Sequence, residues 1–357
     1  MTLTASFESP VCPLPEPHED EVVIGHGSGG RMTQQLIKKV FMPHLSSPSL
    51  LEGNDFGSLH FPAEAGLHGK IVISTDSHIV SPIFFNGGDI GRLAICGTVN
   101  DIAVSGAKPL YLTAGFILEE GFPISQLEKI VISMQQATEE AGIEIAAADT
   151  KVVEKGKGDG IFINTTGIGW LPDKINIAGD CARPGDIVII SGTIGDHGIA
   201  VVTARGEMGF EADVRSDVAP LNHLIQEILK AAPNTHVLRD PTRGGLATTL
   251  NEIAVQSNVG IMIDQNKIPI NQNVQSACEM LGFDPIYLAN EGKVIVIVPA
   301  DESEQALLSM RSNPYGIEAQ IIGQVTDQPV DRVLMKTLIG GTRILDVLSG
   351  EILPRIC

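Results

Sequence analysis

The stretch GGDIGRLAICGTVNDIAVSGAKP, residues 87–109, decides how the rest of the chain is interpreted. It is built mainly from small and apolar residues, and glycine and proline stand near its end. That composition predicts a helix that stops at the glycine and proline. Asn100 and Asp101 are polar residues within it, which makes them candidates for a functional site.

Apolar runs on both sides of this helix predict strands. KIVISTD, at 70–76, reads as a buried strand that ends on a carboxylate. Three more predicted strands follow the helix, at 111–118, 143–150 and 161–169.

A second helix is predicted at 125–142, between two of these strands. Ser125 and Glu128 match a capping box at its start, and Gly142 stands at its C-cap. Its apolar residues recur on one face, which is typical of a helix packed on a sheet.

The second half of the chain alternates short apolar strands with helices, after a turn-rich boundary near 171–185. The predicted fold class is therefore α+β, with two domains. We expect four segments: a loose leader at 1–20, an N-terminal domain at 21–172, a C-terminal domain at 173–345 and a flexible tail at 346–357.

The composition excludes several classes of function. The formal net charge of −19 makes nucleic acids and anionic membranes poor partners. No apolar run is long enough to span a membrane and no signal core is seen, so we expect a cytoplasmic protein. None of the five cysteines forms a CxxC pair, so no zinc ribbon or disulfide framework is indicated.

The segment GHGSGG contains Gly25, Gly27 and Gly30, which fit the dinucleotide pattern GxGxxG. A NAD site also needs an acidic residue at the end of a second strand, and Glu52 and Asp55 lie in an apparent loop. We therefore interpret the segment more narrowly. Its backbone N–H groups approach a phosphate, or it acts as a mobile flap.

Carboxylates mark the expected site in the first half of the chain. Asp76 and Asp149 each come at the end of a predicted strand, and Asp101 lies in the small-residue helix. Such groups suit magnesium that bridges phosphates. Lys151, two residues after Asp149, is a candidate for contact with phosphate or substrate, or else a solvated surface lysine.

Three polar residues are the candidates in the second half. Arg243 follows a glycine-punctuated turn and suits bidentate contact with a phosphate or carboxylate. His197 is a proton handler or a helix-capping residue. Glu291 stands at the entry of an apolar strand, where it is either a base with a raised pKa or a turn acid.

The sequence ends in EILPRIC, with Cys357 as its last residue. A terminal residue is expected to have few core neighbours and to be free to move. The thiol is therefore either incidental or the carrier of a group that an active site elsewhere in the chain processes.

These stretches together resemble the HypE family of hydrogenase maturation proteins, over nearly the whole chain from about residue 21. That family belongs to the aminoimidazole ribonucleotide synthetase-like ATP-binding superfamily. The stretches that carry the resemblance are GHGSGGR, STDSHIV, GGDIGRLAICGTVNDIAVSGAKP, ADTKVV, DPTRGG, ANEGK and PRIC.

The resemblance implies two α+β domains, a homodimer formed through strands of the N-terminal domain, and ATP bound with Mg²⁺ near the dimer contact. It places the metal ligands at Asp76, Asp101 and Asp149, with Asn100 beside them. The nucleotide would be covered by the glycine-rich segment, whose residues are Gly25, His26, Gly27, Gly29 and Gly30.

The resemblance also implies a reaction. A HypF-type carbamoyltransferase places a carboxamide on Cys357, and ATP then drives its dehydration to a thiocyanate, with Lys151 and Glu291 close to the modified thiol. The cyano group passes to iron on a HypC–HypD scaffold complex, as a ligand for [NiFe] hydrogenase.

Other functions remain open at this point. A selenophosphate synthetase-like phosphotransferase would carry its reactive residue in the glycine-rich loop, where this sequence has His26. A thiamine-monophosphate kinase would have no use for a terminal thiol. A NAD-dependent oxidoreductase rests on GxGxxG alone, and a metallochaperone would bind metal without turning over ATP.

Overall fold

The described part of the chain forms two large mixed sheets with helices packed on them, which confirms the α+β fold class. The structure is a computed structural model that describes residues 31–36, 38–39, 57–60, 69–206, 213–348, 353 and 355–357. The predicted leader at 1–20 and the glycine-rich segment at 25–30 lie outside the described residues.

The first large sheet has five strands, in the spatial order β1-β2-β7-β5-β6. All its neighbours are antiparallel except the parallel pair β5 and β6. A two-stranded ribbon of β3 and β4 follows β2. The strands are β1 (Gly57–His60), β2 (Lys70–His78), β3 (Phe84–Phe85), β4 (Gly88–Asp89), β5 (Lys108–Glu119), β6 (Glu144–Val153) and β7 (Ile161–Leu171).

The helix predicted from the opening stretch is confirmed as α2 (Ile90–Val104), which follows a short α1 (Arg31–Leu36). It begins three residues later than the predicted stretch, because the Asp89 side chain accepts hydrogen bonds from two backbone N–H groups of the first turn. Nearly every residue of α2 is buried, and Thr98 of the helix contacts Thr165 of β7, with 2.6 Å between the hydroxyl oxygens. The small side chains let the helix lie close against the five-stranded sheet.

The second predicted helix is α3 (Ile124–Ala141). The predicted capping box is wrong, because the helix begins at Ile124 and its N-cap is Pro123, which makes no side-chain cap. Ser125 therefore lies inside the first turn. The C-cap at Gly142 is confirmed, with φ of 68°, a left-handed conformation that glycine adopts without strain.

The second large sheet has seven strands, in the order β14-β13-β10-β12-β8-β11-β9. Two of its inner strands, β8 and β11, are almost entirely buried. The strands are β8 (Ile187–Ile190), β9 (Val237–Arg239), β10 (Gly260–Asp264), β11 (Ile295–Val298), β12 (Gln320–Thr326), β13 (Arg332–Lys336) and β14 (Thr342–Leu345).

In the described residues five α-helices accompany this sheet, and four of them match helices predicted in the second half of the chain. The helix that sequence analysis left out is amphipathic, with Leu224, Ile225 and Ile228 buried on one face. The helices are α4 (Asp196–Ala204), α5 (Asn222–Ala231), α6 (Gly245–Ser257), α7 (Gln272–Leu281) and α8 (Ser303–Ser312). In the described ranges, no helix is long and apolar enough to cross a membrane.

Candidate active site

The end of β2 presents alternate residues to helix α2. Ser74, Asp76 and His78 lie two apart in this strand, so their side chains point to one face. His78 is buried, whereas Asp76 keeps 37% of its side-chain surface exposed. Gly97 of α2 permits this approach, because a β-carbon at that position would lie 3.2 Å from the His78 ring. This face of β2 forms one wall of the candidate site.

Asp76 and Asp101 share this wall. Ser74 donates a hydrogen bond from Oγ to Oδ2 of Asp101 at 2.7 Å, which ties Asp101 to the β2 face that carries Asp76. Magnesium in phosphate-binding sites takes one or two protein carboxylates and completes its shell with water and phosphate oxygens. Asp76 and Asp101 therefore supply two carboxylates of the kind that magnesium takes as ligands.

Asp149, the third predicted metal ligand, does not join this pair. The strand register puts Asp149 in the same row as Ser77, and the residues between them are Asn164 and Gly115. Because neighbours along a strand point to opposite faces, Asp149 lies on the face away from Asp76. Three interstrand spacings, about 14 Å, also separate it from β2. A metal site made of all three aspartates is therefore not assembled within the described part of one chain, where no cluster of three or more potential ligands occurs.

Lys151 accompanies Asp149 on β6, the outermost strand of the five-stranded sheet. Its Nζ lies 2.5 Å from Oδ2 of Asp149, and both side chains are about 70% exposed. This ammonium group lowers the pKa of the Asp149 carboxyl. Both residues line a cavity of about 190 Å³, together with Ser77 and Asn164. Lys151 is thus available to a ligand, although the structure places it apart from Glu291 and Cys357.

Glu291 is a buried carboxyl at the junction of the two domains, with 4% of its surface exposed. Its Oε1 has no hydrogen-bond partner in the described part of the chain. Burial raises the pKa of Glu291 well above its ordinary value, and three nearby carboxylates raise it further: Asp217, Asp240 and Asp76. A carboxylate with a raised pKa is a stronger base once it is ionised.

Asp217 holds the backbone around Glu291 in place. Its two carboxylate oxygens accept hydrogen bonds from the N–H groups of Glu291 and Gly292, at 3.1 and 3.2 Å. Burial opposes its ionisation, but Lys293, with Nζ 3.2 Å from Oδ2, is the main cause of a lowered pKa. Sequence analysis did not find Asp217, because it lies in a loop and no motif surrounds it.

Arg243 contacts the end of the chain at the junction of the two domains. This junction, which also contains Asp76 and Glu291, is called the cleft below. Its Nη2 donates a hydrogen bond to the main-chain oxygen of Cys357 at 3.3 Å. Burial raises the pKa of the Cys357 thiol, and Arg243 partly opposes that shift. Glu291 and Asp76 lie close enough to raise the thiol pKa further. The structure therefore brings together Asp76, Arg243, Glu291 and Cys357.

The expectation that Cys357 has few core neighbours is wrong in this structure. Cys357 is only 7% exposed, and it packs with Ile356 and Leu353 in the hydrophobic cluster that includes Leu288. The cleft between the domains offers apolar surface that a sequence motif does not reveal. Pro354 lies outside the described residues.

Asn100, which the resemblance places beside the metal ligands, bonds to main-chain groups of the C-terminal domain. Its Nδ2 donates to the main-chain oxygens of Ala219 and Glu291, and its Oδ1 accepts from the N–H of Leu221 at 2.8 Å. Both amide hydrogens are therefore used within the protein. Asn100 joins helix α2 to the C-terminal domain and positions the loop that carries Glu291.

His78 is a polar residue of the cleft that sequence analysis overlooked. Neither of its ring nitrogens has a hydrogen-bond partner among the described residues, and Nε2 lies 3.7 Å from Oδ2 of Asp76. Burial lowers its pKa, which favours the neutral ring. The alternation in STDSH, which sets His78 two residues after Asp76, is the signal that would have found it.

Comparisons with known proteins place both domains of this chain in known families. The N-terminal domain family of AIR synthase related proteins matches residues 57–171, and the C-terminal domain family matches 183–336. The carbamoyl dehydratase HypE of Cupriavidus necator is 52% identical over 334 residues, which cover 94% of each protein. The chain belongs to the HypE family.

Solved HypE structures share the fold of this chain over most of its length. The HypE–HypF complex contains a chain that is 51% identical, with a TM-score of 0.82, covering 88% of this chain and 99% of that one. HypE in complex with ATP is 47% identical, with a TM-score of 0.78, covering 94% and 100%. The resemblance to HypE expected from the sequence is therefore confirmed.

Proposed function

We propose that this chain dehydrates a carboxamide carried on Cys357 to a thiocyanate at the expense of ATP, and so supplies the cyanide ligand of [NiFe] hydrogenase. The observation that carries the proposal is the buried thiol of Cys357 in one cleft with Arg243, Glu291 and Asp76. The 52% identity to a carbamoyl dehydratase HypE supports the reaction type.

The carboxamide oxygen must become a leaving group before it is lost. Transfer of the γ-phosphoryl group of ATP to that oxygen achieves this, and departure of phosphate with loss of both nitrogen protons leaves the nitrile. Magnesium, when bound, neutralises charge on the phosphates, and Asp76 and Asp101 would hold it. The glycine-rich segment Gly25 to Gly30 is proposed to cover the nucleotide.

Glu291 is the proposed base for the nitrogen protons. It lies in the same buried cleft as Cys357, and its Oε1 has no partner among the described residues. Arg243 beside the thiol carries positive charge that suits the phosphorylated carboxamide. Lys151, on the exposed face of β6, is proposed to contact the reacting group of a second copy of the chain.

Three partners follow from this reaction. A HypF-type carbamoyltransferase supplies the carboxamide, in line with the HypE–HypF complex of a 51% identical protein. A HypC–HypD complex accepts the cyano group on iron. A homodimer is proposed to form through the five-stranded sheet, whose edge strand β6 is exposed along nearly its whole length. Its exposed apolar residues include Ile145 and Val152.

The reaction is proposed to take place in the cytoplasm. The four cysteines in the described part of the chain, Cys96, Cys181, Cys278 and Cys357, are all free thiols. Free thiols persist in a reducing compartment.

Intact-protein mass spectrometry tests the proposal. The protein is incubated with the carbamoyltransferase, carbamoyl phosphate and magnesium, and ATP is then added, with Cys357→Ala and Cys181→Ala in parallel. Wild type and Cys181→Ala should each gain the mass of one carboxamide, and they should lose one water only after ATP is added. Cys357→Ala should show neither change. A Cys357→Ala protein that behaves like wild type would show that the thiol is incidental.

A further inference from the structure

The last residues of the chain are held by hydrogen bonds to their main-chain carbonyl groups. The carbonyl oxygen of Arg355 accepts from the N–H of Ser81 at 3.0 Å and from Nη2 of Arg205 at 3.1 Å. That of Ile356 faces Nε2 of His197 at 2.7 Å. Three successive carbonyl groups, the third being that of Cys357, are therefore fixed.

Residues of both domains contact the end of the chain. The Arg355 side chain pairs with Asp159 and donates to the main-chain oxygen of Ile79, and both partners belong to the N-terminal domain. His197 and Arg205 lie at opposite ends of helix α4 in the C-terminal domain. The chain end thus lies between the domains and adopts one defined path.

Among these residues, His197 is the one that bonds to the carbonyl group directly before Cys357. Its ring is fully buried, and Phe85 packs against it edge to face, with 5.3 Å between ring centroids. Nδ1 lies 2.8 Å from Oγ of Ser216. That hydroxyl already accepts a hydrogen bond from the N–H of Val218 at 3.2 Å, which leaves its own hydrogen for the histidine.

These partners fix the tautomer of His197. The carbonyl oxygen of Ile356 can only accept a hydrogen bond, so Nε2 carries the ring proton and donates it. In the neutral ring Nδ1 then has no proton and accepts from the hydroxyl of Ser216. Burial lowers the pKa of His197, in agreement with a neutral ring that has a single donor. The single N–H group of the ring therefore donates its hydrogen bond to the carbonyl oxygen of Ile356.

The carbonyl group of Ile356 belongs to the peptide that precedes Cys357. Since a peptide group is planar, a bond to this oxygen also fixes the plane that ends at the α-carbon of Cys357. Arg243 holds the following carbonyl group, on the other side of that α-carbon. The two bonds together set the direction in which the thiol leaves the backbone.

We propose that His197 is a positioning residue for the dehydration step, and that its hydrogen bond to Ile356 aims the carboxamide on Cys357 at the cleft that contains Glu291. The inference rests on the proposed function. It assigns His197 no part in loading the carboxamide, because in the docked state the buried thiol is out of reach of a second protein.

Two substitutions at His197 separate positioning from folding. In His197→Gln the side-chain amide nitrogen reaches about as far as Nε2 and can still donate to Ile356, whereas in His197→Asn it reaches only about as far as Nδ1. Val274→Ala is the matched control. Val274 is fully buried in the hydrophobic cluster that contains residues of helix α4, but its side chain offers no hydrogen bond to the chain end.

Each protein is first loaded with carboxamide, and the loss of water after a single addition of ATP is followed by mass spectrometry. His197→Asn should dehydrate about tenfold or more slowly, since a misplaced reacting group lowers rates by up to about a hundredfold. Loading should be no slower than in wild type, because it takes place with the chain end outside the cleft. His197→Gln should recover most of the lost rate, and Val274→Ala should dehydrate at the wild-type rate.

Three results would overturn the inference: wild-type dehydration by His197→Asn, an equal loss in the loading step, or an equally slow dehydration by Val274→Ala. Failure of the proposed function would give a result that differs from all three of these. In that case wild type itself loads the carboxamide but loses no water when ATP is added.

Discussion

Arg243 donates a hydrogen bond from Nη2 to the main-chain oxygen of Cys357 at 3.3 Å, so the charged guanidinium group meets the residue that we propose carries the carboxamide. Burial nevertheless leaves the thiol with a raised pKa. A thiol in that state is protonated and a poor nucleophile. Loading of the carboxamide therefore requires the chain end to leave the cleft, and dehydration requires it to return.

Arg243→Gln should expose the thiol. Without the guanidinium group the chain end loses one of its contacts with the C-terminal domain, so the undocked state is populated more often. We expect Cys357 to react with iodoacetamide about tenfold faster in the variant, as followed by peptide mass spectrometry. Arg183→Gln, at an exposed arginine elsewhere, is the control and should match wild type. An unchanged alkylation rate in Arg243→Gln would show that this contact does not hold the chain end.

Glu291→Gln should abolish the pH dependence of dehydration. A base with a raised pKa is ionised only as the pH rises, so the wild-type rate should increase with pH over the range in which Glu291 titrates. Glutamine cannot accept the proton, and the rate should fall by about 10²- to 10⁴-fold and lose that dependence. Single-turnover dehydration of the loaded protein at several pH values measures both effects.

Glu304→Gln, at an exposed glutamate of α8, is the control for Glu291→Gln and should keep the wild-type profile. The loading step should be unaffected in both variants, since the thiol is then outside the cleft. A rising pH profile retained by Glu291→Gln would assign the proton transfer to another group.

The same substitution should stabilise the fold at higher pH. Because the pKa of Glu291 is raised in the folded state, its contribution to stability is fully present below the unfolded pKa and is lost as the pH rises through the folded pKa. Glutamine does not ionise, so the variant does not lose this stability as the pH rises. We expect Glu291→Gln to exceed wild type in free energy of unfolding by about 1 kcal/mol at pH 8 and to match it near pH 4. Urea denaturation at both pH values measures the difference, and a constant difference would contradict the raised pKa.

Much of the fold was accessible from the sequence because its elements carry local signals. The small-residue stretch predicted helix α2, and apolar runs predicted strands such as β2 and β7. The prediction of a capping box at Ser125 was wrong, because the helix already begins at Ile124 and Ser125 is not its N-cap.

The site was less accessible, because it depends on which distant segments meet. Asp76 and Glu291 were found from their strand positions, but nothing local shows that Asp149 lies on the other face of the sheet. The sequence marked Asn100 as a candidate, but nothing local shows that its amide bonds to main-chain groups of the C-terminal domain. The docking of Cys357 likewise depends on an apolar cleft formed by both domains.

The separation of Lys151 from Cys357 in one chain makes a prediction about the dimer. Lys151 lies on the outermost strand β6, on an exposed face, whereas Cys357 is buried between the domains. If β6 forms the contact between two copies, Lys151 serves the site of the partner. Lys151→Met should then slow dehydration about tenfold or more, yet change the free energy of unfolding by no more than about 0.5 kcal/mol because the side chain is exposed.

Mixing two inactive variants tests this arrangement. A mixed dimer of Lys151→Met and Cys357→Ala chains has one site that combines an intact Lys151 from one chain with an intact Cys357 from the other. Dehydration should therefore reappear on the Lys151→Met chain, in proportion to the mixed dimers seen by native mass spectrometry. Lys157→Met, at another exposed lysine, is the control and should be active alone. Mixed dimers that form without any recovery would place Lys151 and Cys357 in the same chain's site, because only then does each mixed site lack one of the two groups.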